Sequence, residues 1–221
     1  MEEFKWSSNL AYAVGLLATD GCLSSDGRHF DLTSKDVEQL ENFKKCLRLD
    51  VKMGSKSSGL SKKRYPRIQF GNVKLYRWLQ KIGLTPHKSL TIGDLKVPQR
   101  YFFDFLRGSF DGDGNTYSYW DPRWKSSFMI YLQFTSASRP HLEWINDQIK
   151  KITDLNGRIN GSNRAYQLVF AKKASHILIR KMYHKNNCIF LSRKRNKILK
   201  SFQIDRDNNQ ARMAKLAHAL P

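Results

Sequence analysis

Two stretches of this chain, 93 residues apart, place a glycine inside an apolar helical run and close that run with an Asp-Gly pair. One reads Ala13-Val14-Gly15-Leu16-Leu17-Ala18-Thr19-Asp20-Gly21. The other reads Leu106-Arg107-Gly108-Ser109-Phe110-Asp111-Gly112-Asp113-Gly114. Glycine in a helix interior costs about 1 kcal/mol relative to alanine, so Gly15 and Gly108 need a compensating role. Small residues at Ala11, Gly15 and Ala18 share one helical face, which predicts a second helix lying close against that face, backbone to backbone. Gly21 and Gly114 then suit a left-handed turn at each helix end. If the two helices pack along Gly15 and Gly108, Asp20 and Asp113 arrive together. Each sits at a helix C-terminus, where the macrodipole is already negative. The result is a strongly anionic spot that a divalent cation would neutralise, and hard oxygen ligands suit Mg²⁺.

The rest of the sequence repeats around these anchors. Periodicity predicts helices over 9–19, 36–47 and 73–82, with Asn9 as the first N-cap and Gly83 as a stop, and strands over 28–34, 51–56 and 66–71. A Pro-, Lys- and Gly-bearing connection runs over 85–97. The order then recurs, with helices over 99–111, 139–152, 172–183 and about 193–203, and strands over 115–120, 127–135, 157–160 and 164–170. Ile68 and Phe70 match Leu168 and Phe170 at a separation of 100. The fold class is therefore α+β, two pseudo-symmetric αββαββα halves with antiparallel sheets. The expected division is 1–97, 98–204 and a polar, then Ala-rich tail over 205–221. A long unit occurring twice means pseudo-twofold symmetry, as in the two half-sites of a DNA duplex. Phe43, Trp78, Phe103, Trp144 and Phe170 fall on apolar faces and read as core.

Composition narrows the partner. Lys and Arg number 39 against 19 acids, a net charge of +20, which points to a polyanion. Residues 171–200 carry ten Lys/Arg and no acid, a candidate backbone-binding flank. Cys22, Cys46 and Cys188 form no Cys-x-x-Cys pair, so neither a disulfide framework nor a zinc site is indicated and a reducing compartment fits. The acidic start is no signal peptide, and its apolar run is too short to span a bilayer. The expectation is an intracellular protein at DNA, in a cytoplasm, nucleoid or organelle matrix, neither secreted nor membrane-bound.

The two Gly-to-Asp-Gly helix ends resemble the LAGLIDADG homing endonuclease family in its single-chain, two-motif form, over residues from about 7 to 203. The first motif matches at Gly15, Leu16, Asp20 and Gly21, with Leu17 for Ile and Ala18 for Asp. The second matches at Leu106, Gly108, Asp111, Asp113 and Gly114. The resemblance implies an intron-homing, metal-dependent hydrolase that cuts both strands of a long pseudo-palindromic DNA target as a monomer. Asp20 and Asp113 would be the catalytic carboxylates on Mg²⁺, with Mn²⁺ able to substitute, and the carbonyls of Thr19 and Gly112 would be further ligands. It also implies a basic residue near the metals in each half, for which Lys88 and Lys194 are the candidates, and water-ordering residues at the strand ends, Ser34 and Ser136. The family's strands form saddles in the major groove. Residues placed to read or hold DNA are then Arg28, Lys52, Lys56, Lys62, Lys63, Arg64 and Arg67 in the first half. The second half offers Tyr117, Tyr119, Trp120, Arg123, Lys125, Arg158, Asn160, Asn163, Arg164 and Arg193.

The competing reading is a non-cleaving nucleic-acid binder of the same fold, an RNA maturase or a transcription regulator, with intron RNA as a further partner in the maturase case. Intact acids at both motif ends favour the enzyme. An intein-embedded endonuclease is disfavoured by the absence of a leading Cys or Ser and of a terminal His-Asn-Cys. A basic ribosomal protein would explain the charge but not two matched helix ends.

Overall fold

The computed structural model describes residues 4–57, 63–161 and 164–218. Helix α1 (Ser8–Thr19) buries every residue from Leu10 to Ala18, so it is apolar all round and sits in the interior. Its N-cap is Ser7, not Asn9: the Ser7 hydroxyl accepts from Leu10 N at 3.1 Å, while Asn9 is exposed one position inside the helix. Its partner is α4 (Phe102–Asp113), entered through a 3₁₀ turn over Gln99–Tyr101. The two glycines explain the pairing. A Cβ on Gly15 would lie 2.6 Å from Ser109 N, and a Cβ on Gly108 would meet the Tyr12 carbonyl and lie 3.1 Å from Gly15 Cα. The backbones therefore touch where the sequence predicts. Gly112 adds a third such point, since a Cβ there would run into the Thr19 side chain.

Around α1, the first half adds β1 (Gly21–Leu23), β2 (His29–Thr33), α2 (Val37–Leu47), β3 (Gly54–Ser57), β4 (Arg64–Gly71) and α3 (Val73–Lys81). Around α4, the second half adds β5 (Asn115–Trp120), β6 (Phe128–Ser136), α5 (Arg139–Thr153), β7 (Arg158–Gly161), β8 (Tyr166–Phe170), α6 (Lys172–Met182) and α7 (Ser192–His218). Strand β1 is absent from the sequence expectation because three residues with one exposed in the middle carry too little alternation to register. The last helix, expected over 193–203, continues through the stretch read as a tail: no Gly or Pro interrupts residues 192–218, and the Ala-rich end is helix-forming. Gly83 does take a left-handed conformation, at φ +103°.

Both sheets are four-stranded and antiparallel with the same order, β1-β2-β4-β3 and β5-β6-β8-β7. Their registers correspond as well. Phe30 faces Phe70 and Leu32 faces Ile68 in one; Leu132 faces Phe170 and Phe134 faces Leu168 in the other. These residues form the buried face of each sheet, covered by the helices. Phe43, Trp78, Trp144 and Phe170 are core, and Phe103 packs at its edge. Among the described residues the opposite face of each sheet carries no helix, and alternate strand residues such as Gln69 and Gln167 are open to solvent. No described helix is long and apolar enough to cross a membrane, and all three cysteines are free thiols.

Candidate active site

Asp20 and Asp113 stand at the converging ends of α1 and α4. Asp20 is the C-cap of its helix, with its N–H on Leu16 O, and Gly114 N reaches Phe110 O in the matching turn. The glycines that follow are not left-handed; Gly114 is extended at φ −81°. Their requirement is space, which corrects the expected turn. A Cβ on Gly21 would fall 2.7 Å from Leu17 Cα, and one on Gly114 would fall 2.6 Å from Phe110 Cα. The chain must turn sharply against its own last helical turn to enter β1 and β5.

Both carboxyl groups are raised above the usual aspartate range. Loss of water is the leading cause for each, and for Asp113 the charge of Asp20 comes second. The two lie close together: a Cβ on Gly112, next to Asp113, would fall 3.3 Å from Asp20 Oδ2. Lys88 and Lys194 oppose the rise, lowering both. Each lysine is buried and holds the backbone beside its own half's aspartate. Lys88 Nζ donates to Gly21 O. Lys194 Nζ donates to Phe110 O at 2.6 Å, Gly112 O at 2.7 Å and Gly114 O at 2.8 Å. Burial pushes the Lys194 ammonium down to about 8 and lowers Lys88 as well. The Gly112 carbonyl, a candidate metal ligand, is thus already bonded to Lys194. The Thr19 hydroxyl points back into α1, donating to Gly15 O and Leu16 O at 3.1 Å.

Gln39, on α2, is a site residue the sequence reading missed. It is 2% exposed and its amide donates to Asp20 Oδ2 at 2.7 Å. Ser34, expected to order water, donates to Gln39 Oε1 at 2.5 Å and accepts from Asp36 N. Ser136 plays the same local part, accepting from Ser138 N at 3.1 Å. The available signal was a glutamine on the apolar face of α2 beside Leu40 and Phe43. Asp111 is a second missed residue. It is 1% exposed, and its Oδ2 accepts from Tyr12 OH at 2.7 Å and Leu191 N at 2.8 Å. It therefore anchors the segment that delivers Lys194, and burial raises its carboxyl to about 6. That segment crosses to the first half, where Glu38 accepts from Ser192 N and Oγ and so caps α7, as Asn42 donates to Phe190 O. The segment carrying Lys88 crosses the other way, with Ser138 donating to Ile92 O and His141 to Gly93 O.

The expected DNA-contacting residues divide. Strand parity puts Lys56 and Arg67 on the open face of the first sheet and Tyr117, Tyr119, Arg158 and Asn160 on that of the second. Lys56 and Arg67 flank Asp31, at 3.6 and 3.1 Å. Arg64 has the opposite parity and binds Ser55. Trp120 also has helix-side parity and packs on Phe128 at 5.0 Å. Arg28, Lys52, Lys63, Arg123, Lys125 and Arg164 lie in exposed turns and strand approaches, with Arg123 paired to Asp121 at the β5–β6 tip. Arg193 is engaged between the halves, 2.7 Å from Asp36. Lys62 and Asn163 lie outside the described residues.

No family model and no curated protein sequence matches this chain. Solved structures do. The meganuclease I-AabMI bound to uncleaved DNA aligns with a TM-score of 0.63 at 12% identity, over 90% of this chain and 91% of that one. The homing endonuclease I-WcaI bound to its recognition sequence gives 0.62 at 14%, over 88% and 87%. The N-terminal LAGLIDADG domain of DUF199/WhiA gives 0.54 at 16%, over 82% and 85%. The chain has the LAGLIDADG fold. The paired glycine helices form its axis, and each sheet leaves one face uncovered. At these identities the likeness reaches no further than architecture, so what the site does must come from its own residues.

Proposed function

We propose that the protein is a divalent-metal-dependent endonuclease that hydrolyses one phosphodiester bond in each strand of a long, pseudo-palindromic duplex DNA site: a homing endonuclease. The observation that carries this reading is the meeting of Asp20 and Asp113 at the ends of two glycine-packed helices, each with a buried lysine from its own half. The +20 charge, the uncovered sheet faces and the DNA-bound state of I-AabMI and I-WcaI support a duplex partner.

The oxygens present suit a hard divalent cation. Two carboxylates raised by burial, Asp113 also by the charge of Asp20, favour a bound positive charge. Asp20 and Asp113, with the carbonyls of Thr19 and Gly112, would hold Mg²⁺ or Mn²⁺. Such an ion activates water and offsets charge on the leaving oxygen. The chain's own groups do the rest. Gln39 fixes one oxygen of Asp20, and Lys194 clamps three carbonyls around Asp113 while adding positive charge where phosphate would enter. The open sheet faces would lie along the grooves, phosphate contacts setting position and base-edge contacts setting sequence.

The test is cleavage of a randomised duplex library in Mg²⁺ by the wild type, Asp20→Asn and Asp113→Asn. The expected result is one enriched long site, with each variant binding it and cutting at least about 10³-fold more slowly. A wild type that binds but never cuts, in Mg²⁺ or Mn²⁺, would move the assignment to a non-cleaving nucleic-acid binder of the same fold.

A further inference from the structure

The environment of Asp20 has a counterpart around Asp113, built with a different residue. Ser34, Asp36 and Gln39 at the start of α2 correspond to Ser136, Ser138 and His141 at the start of α5. In both, the serine oxygen accepts from the N–H two residues on. Gln39 reaches Asp20 and, at 3.5 Å, the carbonyl of Asp111 in the other half. His141 lines a cavity with Asp113 and with Ala18, the residue that corresponds to Asp111.

His141 does not bond Asp113 directly, for a reason of donors and acceptors. It is 3% exposed. Its Nδ1 faces the Gly93 carbonyl at 2.8 Å, and a carbonyl only accepts, so Nδ1 carries the proton. Burial holds the ring neutral, its pKa pushed down to about 4. Nε2 is then a bare acceptor, buried and without a partner. Asp113 is also an acceptor, an exposed residue whose carboxylate makes no hydrogen bond among the described residues. Two acceptors cannot bond one another. A molecule with two donors between them satisfies both, and the cavity they share is about 20 Å³, room for about one water. Ser109, Ser136 and Thr19 supply further polar lining. Ser136 Oγ already accepts from Ser138 N, so its proton is free for the oxygen of that water.

We infer that His141 is the positioning residue for Asp113, acting through one buried water that donates to both, where Gln39 holds Asp20 directly. Each half therefore fixes its carboxylate from its own second helix, one by an amide and one by imidazole plus water. The kinetic consequence rests on the nuclease reading; the hydrogen-bond arrangement does not.

Two measurements on the full chain test the arrangement without cleavage. In ¹⁵N-histidine NMR of the metal-free protein, His141 should be the Nδ1-protonated tautomer with Nε2 accepting. A crystal structure resolving solvent should show a water within about 3 Å of both Nε2 and the Asp113 carboxylate. A protonated Nε2, a direct His141–Asp113 bond or a dry cavity would overturn the inference. Strand-resolved nicking of the selected duplex then separates positioning from simple packing. His141→Phe, which keeps the ring and loses the acceptor, should slow one strand by about 10- to 100-fold with DNA affinity unchanged. Gln39→Leu should slow the opposite strand, and His141→Gln should restore most of the rate by donating directly to Asp113. Thermal unfolding of each variant reports folding, and His141→Gln decides the point if His141→Phe does not fold. Equal slowing of both strands by His141→Phe, or no recovery in a folded His141→Gln, would sink the positioning role. A wild type that cuts neither strand removes the nuclease reading alone, and the tautomer and the water still decide this one.

Discussion

The two halves agree where backbone dictates and differ where side chains reach the site. Strand order, pairing register, the glycine contact and the serine at each strand end are shared. The departures cluster within one helical turn of the aspartates. Ala18 in the first half stands opposite a buried Asp111 in the second. Lys88 holds one carbonyl, whereas Lys194 holds three. Gln39 faces His141. The open faces differ as well: the first presents charged groups around Asp31, the second a stack of Tyr117, Tyr131 and Tyr119, with Tyr131 centroids 4.9 and 6.0 Å from its neighbours. A shared axis with unlike surroundings is what a duplicated chain can reach and an identical dimer cannot. Geometry comes from the repeat, while each half is free to meet a different half-site.

The largest effect should come from the axis itself. Gly15→Ala and Gly108→Ala each drive a Cβ into helix backbone that cannot move aside, and both should destabilise the fold by about 3 kcal/mol or more in urea unfolding. If one is tolerated and the other is not, the axis is less symmetric than the structure shows. The lysines should come next. Lys194→Met removes the donor from the Gly112 and Gly114 carbonyls (Phe110 O keeps Gly114 N) and Lys88→Met removes it from one, at about 1–3 kcal/mol per buried group. The Lys194 variant should lose about twice as much stability, and equal losses would erase this difference between the halves.

The narrowest effect, confined to a pH window, belongs to Asp111. Its folded carboxyl lies near 6 against an ordinary value of 3.8. The folded state therefore holds a proton that the unfolded chain has released, and this contribution is complete below about pH 4 and lost as pH rises through 6. A tenfold gain in proton affinity is worth about 1.4 kcal/mol, so the contribution amounts to roughly 2–3 kcal/mol. Asp111→Asn should flatten stability between pH 4 and 6 relative to the wild type, read as the difference between their melting-temperature profiles. Parallel profiles would mean that Asp111 does not titrate there. Ala18, its counterpart, has nothing to titrate, so no residue of the first half should reproduce the effect.

Much of the fold was legible because it repeats. Gly15 and Gly108 carry a propensity cost that only close packing explains, and the separation of 93 aligns both helix ends without any structure. Alternation at Ile68 and Phe70 and at Leu168 and Phe170 places the buried sheet faces. Gln39 and His141 were not legible, since a polar residue on an apolar helix face has many ordinary explanations and nothing in the spacing says what it will meet far back along the chain. Trp120 was misplaced for a simpler reason: it was grouped with Tyr117 and Tyr119 of the same strand, but strand parity sets its face and was only fixed by pairing with Phe128.

By itself the sequence determined the duplicated α+β plan, the helix pair at its centre, the convergence of Asp20 and Asp113 and the excess of positive charge, because each follows from local spacing or composition. Tertiary structure alone decided that Lys194 would grip three carbonyls, that Asp111 would be buried as an anchor, and that His141, lining a cavity with Asp113, would keep an Nε2 without a partner among the described residues. Those outcomes depend on packing segments far apart in sequence, as Leu191 against Asp111 and Gly93 against His141. A hydrogen bond between residues 48 or 80 positions apart exists only once packing has put donor and acceptor within about 3 Å.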